Sequence, residues 1–302
     1  MKVQTAVQTA MPNKNKKEFV FMKEVGYYNG VIGPLEEMQI PMLDRANYFG
    51  DGVYDFSLSH KGRIFAFDEH IDRFYRSASM IEIDIPYTRE ELKNIICETV
   101  AASEYEDVSI YWQISRGTCI RNHIYPDPEV KPNLMIMIKP GKTCGVNKRF
   151  KLITLEDTRY LHCNIKTLNL LPSVIASEKA HKAGCDEVVL HRGDRVTECA
   201  HCNVSILQNG TFRTAPADNL ILPGIARAHL IKACKELGIP VDETPFTVAE
   251  LMDADEVIVS SSSTLCIQAT EIDGKPVGGK DPVNMDKIRN AVYKEFYDFM
   301  GL

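Results

Sequence analysis

The sequence predicts an α+β protein of two domains, in which largely antiparallel sheets carry flanking helices. Apolar stretches of strand length alternate with longer segments in which apolar residues recur at helical spacing. A hairpin signal, Gln208-Asn209-Gly210, separates two strand-like stretches, and an Asn-Gly pair favours a tight turn with positive φ. Hairpins mixed with helices favour antiparallel pairing over a doubly wound parallel sheet.

The composition is that of a globular protein with a small acidic excess. The 302 residues contain 35 basic and 41 acidic side chains, which gives a formal net charge of −6. A protein that binds nucleic acid needs a concentrated surplus of Lys and Arg, so this charge argues against that class. A domain holds roughly 150 residues, and the length therefore suggests two domains.

Signals for membrane insertion and secretion are missing from the sequence. No apolar run approaches the ~20 residues that span a bilayer. Residues 1–17 contain no apolar stretch of about 7 to 15 residues, which a secretory signal requires. The nine cysteines are an odd number dispersed between Cys97 and Cys266, a pattern that suits reduced thiols better than a disulfide framework. We therefore expect a cytoplasmic protein.

A cluster of turn formers and charges at residues 139–145 marks the predicted domain boundary. On this basis we expect a polar N-terminal arm at residues 1–17, a small α/β domain at 18–140, a linker at 141–150 and a larger domain at 151–302.

The first half of the chain is predicted to contain short strands and two helices. The strands are expected at residues 18–22, 27–29, 108–115 and 134–138, and the helices at 69–80 and 89–102. Thr88 and Glu91 form a capping-box pattern for the second helix, because each side chain can accept a hydrogen bond from an unpaired backbone N–H.

The second half alternates strands and helices again. The strands are expected at residues 150–155, 187–190, 203–207, 211–214 and 256–260, and the helices at 172–183, 225–237 and 284–299. Arg192-Gly193-Asp194 is a predicted turn.

Lys166 is the first residue that can carry chemistry. It lies between Ile165 and Leu168, and an apolar setting lowers the pKa of a lysine amine in general and frees it as a nucleophile or base. The consequence is Schiff-base chemistry. A lysine at a strand edge with a solvated head is the alternative that this window leaves open.

Glu198 begins the segment Glu198-Cys199-Ala200-His201-Cys202. A carboxylate followed by small residues can face a cationic ring nitrogen and leave space for a flat ligand. Cys199 and Cys202 also form a C-x-x-C pair, which is compatible with a metal or redox site. The sequence contains no second C-x-x-C and no suitably spaced His pair, so we predict no metal site.

Pro223-Gly224 directly precedes the helix predicted at 225–237. Unpaired backbone N–H groups at a helix start, with a glycine that permits close approach, can cradle a phosphate. Five consecutive hydroxyl residues at 260–264 follow a predicted strand and can complete this cradle. An ordinary N-cap and a polar loop explain the same features.

Arg121 and His123 follow the strand predicted at 108–115 and stand two residues apart. In an extended segment such residues project to the same side, so both can converge on one small anion, and an arginine fork matches a carboxylate. Two unrelated cations on a surface loop are the alternative. Tyr54 follows a glycine-rich turn and can donate its hydroxyl.

Together these segments resemble the fold-type IV (class IV) pyridoxal-phosphate-dependent enzymes, and among them the D-amino acid aminotransferases. The resemblance extends over about residues 18–300. Its anchors are the segments 44–45, 49–54, 69–73, 116–118, 164–169, 197–198 and 222–225. Their order and spacing jointly are specific.

The resemblance implies ping-pong transamination of D-amino acids of the D-alanine type, with a 2-oxo acid acceptor such as 2-oxoglutarate or pyruvate. It implies pyridoxal 5'-phosphate as cofactor, bound in the larger domain, with Lys166 as the catalytic Schiff-base lysine and Glu198 paired with the pyridinium nitrogen. The implied contacts to the phosphate and ring are Arg73, Leu222, Ile225, Ala226, Ser261 and Ser262. The implied trap for the substrate carboxylate is Tyr54, Arg121 and His123, the last two reaching in from the neighbouring subunit of a homodimer.

The sequence departs from this family pattern at two places, and alternatives remain. Cys199-Ala200-His201 stands where Gly-Ser-Ser is usual, and Ala226 stands where a threonine often supports the phosphate. Within the fold, an L-branched-chain-amino-acid aminotransferase, an (R)-amine transaminase or an aminodeoxychorismate lyase remains open. The Arg121 and His123 pair argues against the first two. A non-catalytic metal or redox protein that uses Cys199 and Cys202 is the alternative from a different class.

Overall fold

The computed structural model describes residues 22–302. The predicted arm at 1–17 and nearly all of the strand predicted at 18–22 lie outside the described residues. Met22, the last residue of that strand, forms an isolated parallel bridge with Ser103. No helix in the described part of the chain combines the length and the apolar character needed to span a bilayer.

A six-stranded sheet occupies the first half of the described chain. Its strands are β1 (Val25–Tyr28), β2 (Val31–Pro34), β3 (Gly52–His60), β4 (Arg63–Ile64), β5 (Asp107–Ser115) and β6 (Asn133–Pro140). They lie in the order β2-β1-β6-β5-β3-β4, and every neighbouring pair is antiparallel. The helices of this half are α1 (Ala46–Phe49), α2 (Phe67–Met80) and α3 (Arg89–Ala101).

A nine-stranded mixed sheet occupies the second half. Its strands are β7 (Arg149–Glu156), β8 (Glu187–Arg192), β9 (Arg195–Cys199), β10 (Asn203–Gln208), β11 (Thr211–Thr214), β12 (Val241–Asp242), β13 (Glu256–Ser260), β14 (Ile267–Ile272) and β15 (Lys275–Pro276). The order is β12-β11-β10-β13-β14-β7-β8-β9, with β15 beside β14. Three pairs are parallel: β11 with β12, β14 with β7, and β7 with β8. The helices are α4 (Leu171–Lys182), α5 (Ile225–Glu236), α6 (Val248–Asp253) and α7 (Pro282–Met300).

The core of the first half lies between the six-stranded sheet and helices α2 and α3. Residues of β5 alternate between buried and partly exposed positions, as expected for a strand with one covered face. Trp112 of β5 and Phe74 of α2 are fully buried, and their rings meet edge to face with centroids 6.2 Å apart. Burying a side chain such as Phe74 stabilises the fold by roughly 1.5–3 kcal/mol.

The predicted fold class, α+β with largely antiparallel sheets, is confirmed. All five predicted helices are present, and each begins and ends within two residues of the predicted positions. Thr88 and Glu91 form the predicted capping box at the start of α3. Asn209 and Gly210 form the predicted hairpin turn between β10 and β11, with φ angles of 51° and 72°.

The sequence pattern predicts no strand for the segment that contains Tyr54 and only places Tyr54 after a glycine-rich turn. In the structure Tyr54 lies inside strand β3, which begins at Gly52. Asp55 and Ser57 occupy buried positions of this strand, so the apolar alternation that would reveal a strand is interrupted. The strand is nevertheless fully paired, because β3 and β5 align from Gly52 opposite Ser115 to His60 opposite Asp107.

Residues 141–148 connect the two sheets, because β6 ends at Pro140 and β7 begins at Arg149. We propose that each sheet is the core of one domain, with residues 141–150 as the linker between a domain at 18–140 and a domain at 151–302.

Candidate active site

One cavity brings most of the predicted site residues together. The sequence-predicted residues that line it are Tyr54, Arg73, Lys166, Glu198, Leu222, Ile225, Ala226, Ser261 and Ser262. Tyr54 and Arg73 come from the first half of the chain and the others from the second half, so the cavity lies where the two sheets meet.

Lys166 is held on the cavity wall by contacts with the first half of the chain. Its carbonyl oxygen accepts a hydrogen bond from the Tyr54 N–H at 2.9 Å, and its own N–H donates to Ser77 Oγ at 3.2 Å. An isolated antiparallel β-bridge between Val53 and Thr167 adds to the backbone pairing of these two segments. The amine lies over the Tyr54 ring, with Nζ 4.3 Å from the ring centroid. The lysine is thus fixed at its backbone, and its amine points along the cavity.

Glu198 is a buried carboxylate near the end of β9, and it lines the same cavity. The Leu222 N–H donates to both of its oxygens at 3.1 Å, and Asn203 Nδ2 donates to Oε2 at 2.9 Å. Arg159 Nη1 donates to Oε1 at 2.6 Å. Burial raises the pKa of Glu198 to about 7, although Arg159 and the Leu222 N–H act in the opposite direction. The carboxyl therefore binds and releases a proton near neutral pH.

Arg159 is a functional residue that no sequence pattern revealed. Its guanidinium contacts Asp157 through Nε and Nη2, both at 2.9 Å, and contacts Glu198 through Nη1. Burial disfavours its charge, but the hydrogen bonds and charges of Asp157 and Glu198 raise its pKa. The sequence signal was weak, because Asp157-Thr158-Arg159 is a short polar stretch after β7 with no motif around it.

The N-terminus of helix α5 opens on the same cavity. Its N-cap, Gly224, provides no side-chain hydrogen bond, and Ile225 and Ala226 are the first two helical residues. A Cβ at Gly224 would lie 2.0 Å from Asn203 Oδ1, so only glycine fits here. Backbone N–H groups in this position form an anion site.

The hydroxyl run contributes to the same cavity as α5. Ser260, Ser261 and Ser262 line it, and Ser261 Oγ contacts Thr264 Oγ1 at 3.0 Å. Ser260 Oγ is buried and has no hydrogen-bond partner among residues 22–302. A buried hydroxyl without a partner costs free energy unless a ligand satisfies it.

Arg73 reaches the cavity from α2 as part of a buried charge cluster. Its Nε and Nη2 donate to the two oxygens of Asp55 at 2.9 and 2.6 Å, and His70 Nδ1 lies 2.8 Å from Asp55 Oδ1. Burial alone would raise the pKa of Asp55. Arg73 and His70 outweigh burial and hold this pKa well below its usual range. Asp55 therefore stays ionised and fixes the orientation of the guanidinium.

Arg121 and His123 do not line this cavity. Both are exposed, and both lie against the Phe49 ring, with the Arg121 Cζ 4.9 Å and the His123 ring centroid 5.0 Å from its centroid. The two side chains are therefore neighbours, as the sequence predicts, but they are not brought to Lys166 within one chain. His123 lines a second cavity, together with Arg116 and Tyr160.

Cys199 and Cys202 are both buried, and the Cys199 N–H donates to the Cys202 carbonyl oxygen at 2.8 Å. The pair thus lies in the tight turn between β9 and β10. Ala200 and His201, at the tip of this turn, line the cavity beside Tyr54 and Ser173. The departures from the family pattern therefore lie on the cavity wall.

Comparison with known proteins identifies relatives over most of the chain. The family model described as amino-transferase class IV matches residues 52–272. D-alanine aminotransferase from Listeria monocytogenes serotype 1/2a (strain 10403S) is 41% identical over 256 residues, which cover 82% of this chain and 88% of the relative. D-alanine aminotransferase from Staphylococcus haemolyticus is 40% identical over 254 residues, which cover 83% and 90%.

Solved structures share the fold over nearly the whole chain. A T.th. branched-chain amino acid aminotransferase complexed with N-(5'-phosphopyridoxyl)-L-glutamate has a TM-score of 0.82 and 25% identity, covering 92% of this chain and 94% of that protein. The branched-chain aminotransferase from Thermoproteus uzoniensis with norvaline has a TM-score of 0.82 at 24% identity, covering 92% and 95%. The second structure is less than 25% identical to this chain, so its similarity is evidence for the fold alone.

Proposed function

The chain belongs to the class IV aminotransferases, and from this premise we propose that it catalyses ping-pong transamination of D-amino acids of the D-alanine type. The acceptor is a 2-oxo acid such as 2-oxoglutarate or pyruvate. The observation that carries the proposal is the single cavity that joins Lys166, Glu198 and the anion cradle of α5. The two D-alanine aminotransferases at about 40% identity support the D-amino acid class.

The residues of the cavity fit pyridoxal 5'-phosphate as the cofactor. Helix α5 begins without a side-chain cap, and Ser260 Oγ is buried without a partner in the described chain, so both offer unused hydrogen bonds to a phosphate. In this assignment the phosphate is held by Arg73, Ser261, Ser262 and the N–H groups of Ile225 and Ala226, and Leu222 packs against the ring. Lys166 Nζ is the amine that would hold the cofactor at its aldehyde group.

The proposed mechanism assigns one task to each of three side chains. When bound, the cofactor withdraws electrons from the substrate Cα and thereby acidifies its proton. Glu198 would hold the cofactor at its ring nitrogen and keep that nitrogen protonated, and Arg159 orients the carboxylate. Lys166 would act as the general acid and base that moves the proton of the substrate Cα.

The proposed carboxylate trap needs a second copy of the chain. Tyr54 lines the cavity, whereas Arg121 and His123 are exposed beside Phe49 in the same chain. Exposed apolar side chains flank this loop: Ile120 is 82% and Ile124 is 71% accessible. Large apolar side chains that are exposed together are typical of an interface. We propose a homodimer in which Arg121 and His123 of one subunit bind the substrate carboxylate in the other.

The alternatives fit less well. The branched-chain aminotransferases share the fold at about 25% identity or less, whereas the D-alanine enzymes share about 40% of residues. An (R)-amine substrate has no carboxylate that Arg121 and His123 could bind. The same pair argues less decisively against an aminodeoxychorismate lyase. The family assignment disfavours a non-catalytic protein built on Cys199 and Cys202. We propose a cytoplasmic location because all nine cysteines are free thiols, a pattern typical of a reducing compartment.

An absorption titration tests the proposed function. We expect a yellow protein whose cofactor absorption shifts on addition of D-alanine but not of L-leucine. A shift with L-leucine alone would assign the branched-chain activity, and a colourless protein would contradict the cofactor. Borohydride reduction followed by peptide mapping should place the cofactor on Lys166, and an unmodified Lys166 in saturated protein would refute the assignment.

A further inference from the structure

Glu187, His201 and Cys202 lie close together, although no sequence pattern connects them; His201 and Cys202 line the cavity, and Glu187 is fully buried. We infer that these three side chains form a binding site for one divalent zinc ion. Their ligand atoms all lie within 4.8 Å of one another. The site differs from the C-x-x-C hypothesis, because Cys199 is not a member of the set.

Strand register explains why residues so distant in sequence meet. Strands β8 and β9 are antiparallel, and Val189 lies opposite Cys199. Continued by two residues, this register places Glu187 opposite residue 201, at the start of the turn that leads into β10. The Cys199 N–H bond to the Cys202 carbonyl closes that turn and brings Cys202 back beside the strand pair.

Glu187 carries an unused acceptor that is directed at this cluster. Its side chain is fully buried. Oε1 accepts hydrogen bonds from the Val188 N–H at 2.8 Å and the Ala200 N–H at 3.3 Å. Oε2 has no hydrogen-bond partner in residues 22–302. Burying a carboxylate costs several kcal/mol unless its charge is compensated, so a cation beside Oε2 meets a real need.

His201 compensates the charge of Glu187 only while its ring is protonated. Its Nδ1 lies 2.8 Å from Glu187 Oε2, within ion-pair distance. A metal ion that replaces the ring proton can bind both atoms. The His201 side chain is 61% exposed, so an ion can enter from the cavity side.

The donor set matches the preference of zinc. Thiolate, imidazole and carboxylate are its common protein ligands, and three of them leave a fourth tetrahedral position for water. Binding exchanges protons for the metal: Cys202 loses its S–H proton and His201 loses the proton on its ligating nitrogen, both to solvent, as the Zn–S and Zn–N bonds form.

The test titrates the purified holoenzyme with Co²⁺, which substitutes for zinc and reports tetrahedral thiolate coordination by its visible bands. We expect one cobalt ion per chain, displaced by one equivalent of zinc. Cys202→Ser should remove the thiolate-to-metal band, and His201→Gln should raise the zinc dissociation constant at least about tenfold. Calorimetry on the same samples measures zinc affinity without any use of transaminase activity.

Two matched controls keep the interpretation specific. Cys199→Ser removes the other buried thiol of the turn, and His181→Gln removes another histidine that lies near the cavity. Neither should change zinc affinity. The inference is overturned if the wild-type protein binds no cobalt with thiolate bands, or if Cys199→Ser, rather than Cys202→Ser, removes them. Because the readout is metal binding, its failure would leave the proposed transaminase function untouched, and loss of that function would leave this site untouched.

Discussion

Glu198 shows how burial sets the chemistry of one side chain. The carboxyl is enclosed by the Arg159 guanidinium, the Leu222 N–H and the Asn203 amide, yet burial still raises its pKa to about 7. A group of this kind shares a proton with a ring nitrogen of similar basicity more readily than an exposed carboxylate does. The raised pKa also makes the stability of the protein depend on pH, and this dependence can be measured without substrate.

Stability of the cofactor-free protein should depend on the protonation of Glu198. The folded pKa, about 7, lies above the ordinary value of 4.5 for a glutamate. The folded state therefore holds the extra proton between these values, and the contribution of Glu198 to the free energy of unfolding is present below pH 4.5 and lost as pH rises through 7. We expect the loss to be at most about 3 kcal/mol.

Urea unfolding of the wild type and Glu198→Gln between about pH 4.5 and 8 measures this effect. The difference in unfolding free energy between the two proteins should change with pH in the stated direction and become constant above about pH 8. Glu236→Gln, at an exposed position of α5, serves as the control and should leave the profile unchanged. A difference that is independent of pH would contradict the raised pKa.

Gly224 should be required for cofactor affinity. A Cβ at this position meets Asn203 Oδ1 at 2.0 Å, so Gly224→Ala must displace the amide that donates to Glu198 Oε2. We expect the dissociation constant for pyridoxal phosphate to rise about tenfold and stability to fall by about 1–3 kcal/mol. Equilibrium dialysis and urea unfolding measure the two quantities. Gly145→Ala, where no heavy atom lies within 4 Å of the new Cβ, should change neither.

The sequence points to candidate residues where local chemistry is distinctive and misses those whose environment tertiary contacts create. Lys166 stood out by its apolar neighbours, and the placement of Glu198 in the same cavity agrees with its predicted surroundings. Arg159 could not be found, because its role depends on Asp157 and Glu198, which only the folded sheet brings together. Glu187 escaped notice for the same reason, since its neighbours belong to the next strand.

Among the secondary-structure elements, β3 and α2 are joined by a charge cluster rather than by apolar packing alone. Asp55 of β3 is fully buried and accepts two hydrogen bonds from Arg73 of α2. Asp55→Asn should reduce the free energy of unfolding by about 3–5 kcal/mol, because it leaves the Arg73 charge buried without its partner. Denaturant unfolding measures the loss.

A second ion pair, which joins α2 to α3, provides the control. Asp72 and Arg89 are 2.7 Å apart, but more than half of each side chain is exposed. Asp72→Asn should therefore cost less than about 1 kcal/mol. If Asp55→Asn and Asp72→Asn reduced the free energy of unfolding by similar amounts, burial would add nothing to the stability that the Asp55 pair provides.

The same cluster explains which elements the sequence could predict. Helix α3 was predicted from its capping box and its apolar periodicity, both of which are local. Strand β3 was not, because Asp55 and Ser57 occupy buried positions that an apolar pattern would fill. Polar residues that serve the site thus hide the strand that carries them.

At the scale of the whole molecule, the position of Arg121 bears on how many chains form one site. Lys166 and the cofactor cradle lie in one cavity, whereas Arg121 lies outside it beside Phe49. Met42 and Ile120, both more than four-fifths exposed, lie on the segments around this loop, where the Cys119 N–H donates to the Leu43 carbonyl. An exposed cation framed by exposed apolar groups is typical of a surface completed by a symmetric partner.

Mixing two inactive variants tests this arrangement. In a dimer of one Lys166→Ala chain and one Arg121→Ala chain, the site with the intact lysine receives the intact Arg121 of the other chain. The second site lacks both groups. After joint unfolding and refolding of equal amounts, half of the molecules are mixed dimers, so we expect about a quarter of the wild-type rate at a D-alanine concentration far below saturation. Refolded separately and then combined without exchange, the same variants should stay inactive. If Arg121 acted within its own chain, no mixture would recover activity, because neither chain then contains a complete site.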